Sequence, residues 1–366
     1  MIEAVYIHVP FCSHICNYCD FTKVFYNNGW AEQYLKMLQK EATPYADLRV
    51  NSVYLGGGTP SALNQQEFET LLLIARKFLK QNGEFTVEVN SESCDENKVK
   101  LMAKYQVNRV SIGVQTFNPE YLKLLGRKHS EEQVISLIKM LKEHGITNIS
   151  ADLMFGFPRE TKKVLGQDLQ KYLELGVEHI SCYPLQIEEH TIFANQGIKA
   201  LNDDKVYAMY EEINRVLAKA GYSRYEISNF AKNEHVSKHN LVYWHDQEYL
   251  GLGPGSSGYV AKVRYDNTKS IIAYNHGVTR INEHLIQGNE EEFEYIMLNL
   301  RLKSGIDFKD YQKRFNKVFL EVFSQKVKML VGQNLMSYDD AHIYITEKGI
   351  YISNSIIAEL TLNLDY

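Results

Sequence analysis

The stretch Ala4-Val5-Tyr6-Ile7-His8-Val9-Pro10-Phe11-Cys12-Ser13-His14-Ile15-Cys16-Asn17-Tyr18-Cys19 decides how the rest of the chain is read. Residues 4–9 are rich in β-branched and aromatic side chains, which fits a buried strand. Three cysteines follow that strand within eight residues. The same order, strand first and reactive or Gly-rich loop next, recurs along the chain. Further strands are predicted at 52–55, 85–89, 109–113, 148–153 and 178–183. Helical patterns lie between them, near 31–43, 65–80, 95–104, 130–144 and 161–175, with another near 203–220. Strand–helix alternation at this spacing calls for a parallel sheet with right-handed crossovers. Six such units predict an α/β fold, an incomplete (β/α)6 barrel with its chemistry at the C-terminal strand ends. Gly56-Gly57-Gly58-Thr59-Pro60-Ser61 follows the second strand, Gln115 the fourth, and Asp152 leads from the fifth into Phe155-Gly156-Phe157-Pro158.

Past residue 222 the pattern changes. Segment 223–280 is rich in Tyr, Asn, His and Gly and is read as a connecting segment after a 1–222 barrel. Residues 281–366 are expected to form a smaller α+β domain, with helices near 290–302 and 308–332. A strand, a turn and a last helix then follow, the order of a winged helix. Its charges are mixed, Lys326, Lys328 and Lys348 against Asp339, Asp340 and Glu347, so packing or partner docking is expected rather than DNA binding.

The 366 residues are 45% hydrophobic and 23% charged, which excludes a disordered or fibrous chain. A net charge of −5 lacks the footprint of a nucleic-acid binder. No apolar run reaches the ~18–20 residues of a membrane span. The N-terminus lacks the basic and apolar regions of a signal peptide, so the cytoplasm is the expected compartment, with membrane contact only through partners.

Five cysteines are an odd set for a disulfide framework. Cys94 and Cys182 stand alone and are expected to be structural. Cys12, Cys16 and Cys19 form C-x3-C-x2-C, and thiolates are the ligands that hold iron–sulfur clusters. Three thiolates leave one iron of a [4Fe–4S] cube open to a substrate or cofactor. The alternatives are a zinc site completed by His8 or His14, and three unrelated free thiols.

This triad, with Tyr18 in the aromatic position before the third cysteine, resembles the signature of the radical S-adenosylmethionine (SAM) superfamily. The resemblance implies that SAM chelates the open iron. Glycine lets a backbone approach a ligand closely and expose its N–H groups. Gly57, Gly58 and Thr59 match the superfamily's Gly-rich SAM loop. Tyr6, Glu88, Gln115, Arg127 and Asp152 resemble the SAM-site residues of the oxygen-independent coproporphyrinogen oxidase branch. In that branch Tyr6, Gly57 and Glu88 would contact the cluster-bound SAM, and Gln115, Arg127 and Asp152 a second one.

Two features depart from the oxidase. Phe21 stands where the oxidase has a fourth cysteine, and the first strand starts at about residue 4, where the oxidase carries an N-terminal extension. A third feature is positive. His239-Asn240-Leu241-Val242-Tyr243-Trp244 resembles the HNxxYW motif of the heme chaperones in this branch. An imidazole can ligate heme iron, and Tyr and Trp offer flat faces to a porphyrin. The bland alternatives are a satisfied core histidine, or a zinc site using His235, His239 and His245. Gly251-Leu252-Gly253-Pro254-Gly255-Ser256-Ser257-Gly258 lacks the setting of a dinucleotide fingerprint and is read as a tight loop at the barrel mouth.

The resemblance therefore implies a chaperone that carries heme to respiratory-chain hemoproteins. It further implies an electron donor such as flavodoxin or ferredoxin, a homodimer, and no catalytic residue assigned. The competing expectations are an oxygen-independent coproporphyrinogen III dehydrogenase and another radical SAM enzyme such as a methyltransferase.

Overall fold

The computed structural model describes all residues except Asn363, Asp365 and Tyr366. Six parallel strands stand side by side in chain order: β1 Ala4–Val9, β2 Val50–Gly57, β3 Leu79–Val89, β4 Arg109–Gln115, β5 Asn148–Phe155 and β6 His179–Pro184. The crossover helices include α1 Asn28–Ala42, α2 Gln65–Arg76, α3 Glu96–Lys104, α4 Glu131–Glu143 and α5 Lys162–Glu174. Each opens on a residue built to cap it. The side chains of Asn27, Asn64, Asp95, Ser130 and Thr161 accept first-turn N–H groups, and Glu67 and Gln133 complete capping boxes.

Alternate strand residues divide the two faces of the sheet. Val5, Ile7, Val9, Val53, Leu55, Phe85 and Val87 join the apolar core. The intervening set is polar and bonds across neighbouring strands: Tyr54 to Glu88, Ser111 to Asp152, and Ser150 to His179. The incomplete barrel thus has a polar lumen.

β1 matches its predicted bounds and β6 is displaced by one residue, whereas β2, β3, β4 and β5 run longer than predicted. β3 starts at Leu79, six residues before the expected 85, because Leu79 pairs with Val50 across a register shift. Lys80-Gln81-Asn82-Gly83 carries no strand signal, and Asn82 sits at φ 63°.

The sheet does not stop at residue 222. Strand β8, Tyr249–Leu252, lies parallel to β1 on its far side, and β9 Ser257–Val260, β10 Val263–Asn267 and β11 Arg280–Leu285 continue antiparallel. At the other edge β7, Asn229–Ala231, pairs antiparallel with β6 and with Ser223–Arg224. The result is one 12-stranded sheet. The 251–258 loop packs against the start of the chain. A Cβ on Gly253, at φ 86°, would lie 2.4 Å from the His8 carbonyl oxygen.

The C-terminal part has its own core of Tyr295, Ile296, Leu300, Tyr311, Phe319, Leu330, Ile343 and Ile357. A three-stranded sheet, Ile306–Asp307, Met336–Tyr338 and His342–Ile345, and the final helix Ser353–Thr361 complete it. The helix expected at 308–332 is three: Phe308–Phe315, Phe319–Val322 and Ser324–Gly332. Asn316 caps the first in the left-handed conformation, which Asn tolerates. Ion pairs join this part to the rest: Arg224–Glu347 at 2.9 Å and Arg264–Glu294 at 2.6 Å. Among the described residues no helix is long and apolar enough to cross a membrane.

Candidate functional site

A cavity of about 470 Å³ lies at the C-terminal mouth of the barrel. Its wall holds Cys12, Cys16 and Cys19 together with Gly57, Gly58, Thr59, Glu88, Gln115, Arg127 and Asp152. Cys12 ends a two-residue strand, Phe11–Cys12, that pairs with Val24–Phe25 and closes the cysteine loop at its base. Inside the loop, Asn17 donates from its backbone N to Leu125 O at 3.0 Å and from Nδ2 to Leu124 O at 2.8 Å. These bonds bring the loop against the segment that carries Arg127.

One network reaches two of the thiols. Asn90 Nδ2 donates to Thr59 Oγ1 at 3.0 Å, and Arg127 Nη2 donates to Asn90 Oδ1 at 3.0 Å. Thr59 Oγ1 lies 3.8 Å from Cys12 Sγ, and Arg127 Nη1 lies 3.8 Å from Cys16 Sγ. Two donors are therefore aimed at sulfur. Burial pushes the Cys12 thiol up to about 12, against the Thr59 hydrogen bond, and raises Cys19 too. Thiols so placed become thiolates when a metal takes the place of the proton.

The Gly-rich loop does not expose its N–H groups in the way expected. Gly57 N donates to Glu88 Oε2 at 3.1 Å, Gly58 N to Val9 O at 2.8 Å, and Thr59 N to Phe11 O at 2.8 Å. These donors pin the loop to β1, to β3 and to the Phe11–Cys12 strand. The glycines are needed for close approach. A Cβ on Gly58 would lie 2.8 Å from Phe11 O, and Gly57 adopts φ 112° with His8 ring atoms 2.5 Å from a Cβ placed there.

Glu88 accepts from Tyr54 Oη at 2.7 Å as well as from Gly57. Burial raises its carboxyl to about 7, with Asp152 adding to the shift. Burial raises Asp152 also, and Ser111 Oγ donates to it at 3.3 Å. Gln115 sits at φ 70°, where the β4–β5 register shifts. A non-glycine residue held there marks local strain of the kind found at functional sites.

Two expected site residues lie elsewhere. Tyr6 lines a neighbouring cavity of about 460 Å³ with Tyr243 and Tyr249, and its hydroxyl is 3.0 Å from His8 Nδ1. His239 is 1% exposed and lines neither cavity. Both its ring nitrogens are engaged, Nδ1 with Ser52 Oγ at 3.0 Å and Nε2 with Tyr243 Oη at 2.7 Å. In this conformation neither faces a ligand.

Asn90, Ser111 and Tyr54 went unread in the sequence. Asn90 had a signal, since it is the polar residue just past β3, two after Glu88.

The donor set, three cysteine thiols around one cavity, is of the kind that holds an iron–sulfur cluster. His8 has both ring nitrogens bonded, to Tyr6 and to Thr22 O, so it is not free as a zinc ligand. The cavity also suits a zwitterionic ligand. Buried Arg127 Nε has no protein acceptor, and a carboxylate satisfies such a guanidinium.

Residues 6–172 match the radical SAM superfamily, and residues 286–352 match the HemN C-terminal domain. The chain is 38% identical to the heme chaperone HemW of Lactococcus lactis, over 99% of this chain and 98% of that protein. It is 34% identical to HemW of Bacillus subtilis, over 97% and 98% of the two. The solved structure of Escherichia coli coproporphyrinogen III oxidase (HemN), a radical SAM enzyme, has the same fold, with a TM-score of 0.86 at 21% identity over 98% of this chain and 90% of that one. A fold of this kind, carrying the thiol loop at its mouth and aligned along its whole length with these chaperones, places the chain in the HemW heme chaperone family of the radical SAM superfamily.

Proposed function

We propose that this chain holds a [4Fe–4S] cluster on Cys12, Cys16 and Cys19, binds SAM beside it, and carries heme to hemoproteins of the respiratory chain. One observation carries the cofactor part: the three thiols share a single cavity with Glu88, Gln115, Arg127 and Asp152. When bound and reduced, the cluster supplies an electron for chemistry on SAM. Thr59 and Arg127 donate toward the sulfurs of Cys12 and Cys16 and offset their negative charge. Arg127 also offers a cationic partner to a ligand carboxylate, while Glu88 and Asp152 accept from amino or hydroxyl groups. Gln115, Arg127 and Asp152 are the residues that would meet a second SAM.

The heme part rests on the family. Heme iron meets His239 Nε2 only if the Tyr243 side chain, one turn on in the same helix, leaves it, so capture at this residue requires that side chain to swing away and the buried ring to open to the ligand. The exposed Phe21 gives no thiol to the cluster loop, which supports a carrier over the dehydrogenase. The deciding experiment is anaerobic, on reconstituted protein with SAM, reductant and coproporphyrinogen III, alongside a heme titration. Heme binding without protoporphyrinogen is the expected result. Catalytic yield of protoporphyrinogen would replace this reading with the dehydrogenase. An electron donor of the flavodoxin or ferredoxin type and a homodimer complete the proposal.

A further inference from the structure

His239 stands beneath the candidate SAM site, in the barrel floor. The helix that carries it, Lys238–Trp244, enters the N-terminal end of the barrel. Glu84 on β3 receives its first donors, Lys238 N and His239 N, both at 3.1 Å. The imidazole is then held between Ser52 and Tyr243. Its ring lies against the Tyr54 ring, centroids 5.0 Å apart and planes 31° from parallel. Tyr54 is two residues past Ser52 on the same face of β2, and its hydroxyl donates to Glu88. Glu88 in turn holds Gly57 N at the cavity wall.

This path has little slack. A Cβ on Gly56 would lie 2.8 Å from the Tyr54 ring and 2.9 Å from the Glu88 carboxylate, so ring, carboxylate and loop are in close contact. Interiors packed this tightly transmit displacements to their neighbours. The imidazole is also a neutral wedge. Burial lowers its pKa to about 3, so it brings no charge beneath Glu88.

The geometry points to His239 as a positioning residue for the SAM site, acting through Tyr54 to hold Glu88 and the Gly57 loop. This inference rests on the proposed SAM site, and it gives the histidine of the HNxxYW string a role that needs no heme.

The test uses the full chain with its cluster reconstituted. SAM affinity is measured by equilibrium binding, and the electron paramagnetic resonance spectrum of the reduced cluster is recorded with and without SAM. Tyr54→Phe removes one hydroxyl and is expected to weaken SAM binding about tenfold, the size of losing a hydrogen bond to a carboxylate. Iron content and the SAM-free spectrum stay unchanged. His239→Ala is expected to weaken SAM binding by a similar factor and to change the SAM-bound spectrum. The double variant should lose little more than either single one, because both act on one path. Wild-type SAM affinity in either single variant, or losses that multiply in the double variant, would overturn the inference. If His239→Ala does not fold, Tyr243→Phe takes its place, since it removes only the Nε2 partner, and the same outcomes decide. A wild-type protein that holds its cluster yet binds no SAM refutes the SAM site itself, and this inference with it.

Discussion

SAM affinity should depend on pH through Glu88, and the dependence can be worked from the site. The carboxylate is buried between Tyr54 and the Gly57 loop, and its pKa stands at about 7 against an ordinary 4.5. A ligand that bonds the ionised form meets a protein that must first release a proton. At pH 8 about nine molecules in ten are ionised, and at pH 6 about one in ten. Apparent affinity should therefore fall about tenfold from pH 8 to pH 6, or about 1.4 kcal/mol. It is full above about 7 and lost below. Glu88→Gln keeps one acceptor, for Gly57 N, while its amide N–H can donate to Tyr54 Oη, and it cannot titrate. SAM binding would be measured on both proteins, with clusters reconstituted, from pH 6 to 8. The ligand's own amine titrates in both, so the difference between the two profiles isolates Glu88. Parallel profiles would refute the reasoning. A wild-type profile that rises toward pH 6 relative to the variant would show that the protonated form binds.

Three other outcomes are expected. Cys12→Ala, Cys16→Ala and Cys19→Ala should each lose iron and sulfide on reconstitution, whereas Cys94→Ser and Cys182→Ser, at buried core positions, should keep both. Gly57→Ala places a Cβ 2.5 Å from the His8 ring at φ 112°, and should cost about 2 kcal/mol or more in urea unfolding while depleting the cluster. Glu226 is fully buried and its carboxyl is raised to about 7 by that burial. A raised carboxyl stabilises below its unfolded pKa and loses this contribution as pH rises through about 7. Glu226→Gln should therefore reduce the loss of stability of the cluster-free protein between pH 5.5 and pH 8 by about 2 kcal/mol in urea denaturation.

The barrel was legible because its strands are local events. Residues 4–9 are rich in β-branched and aromatic side chains, a composition that needs no distant partner to be read, and helical patterns fill the intervals between such runs. Where pairing rather than composition decides, the reading fell short. Leu79 becomes strand because Val50 lies beside it, and 249–252 joins the sheet because β1 offers a free edge.

The candidate site divides along the same line. Cys12, Cys16 and Cys19 suggest a shared cluster by their spacing, and the fold puts all three around one cavity. Glu88, Gln115 and Asp152 could be placed at strand ends, where barrels put function. The sequence could not say where an imidazole points. His239 belongs to a motif that suggests an open ligand, but Ser52, 187 residues away, and Tyr243 take both its nitrogens. Nor could it show that the Gly57, Gly58 and Thr59 donors pin the loop to Glu88, Val9 and Phe11. Residue type and spacing set which chemistry is available. Which lone pair and which N–H remain free for a ligand depends on partners that only folding brings within hydrogen-bond reach.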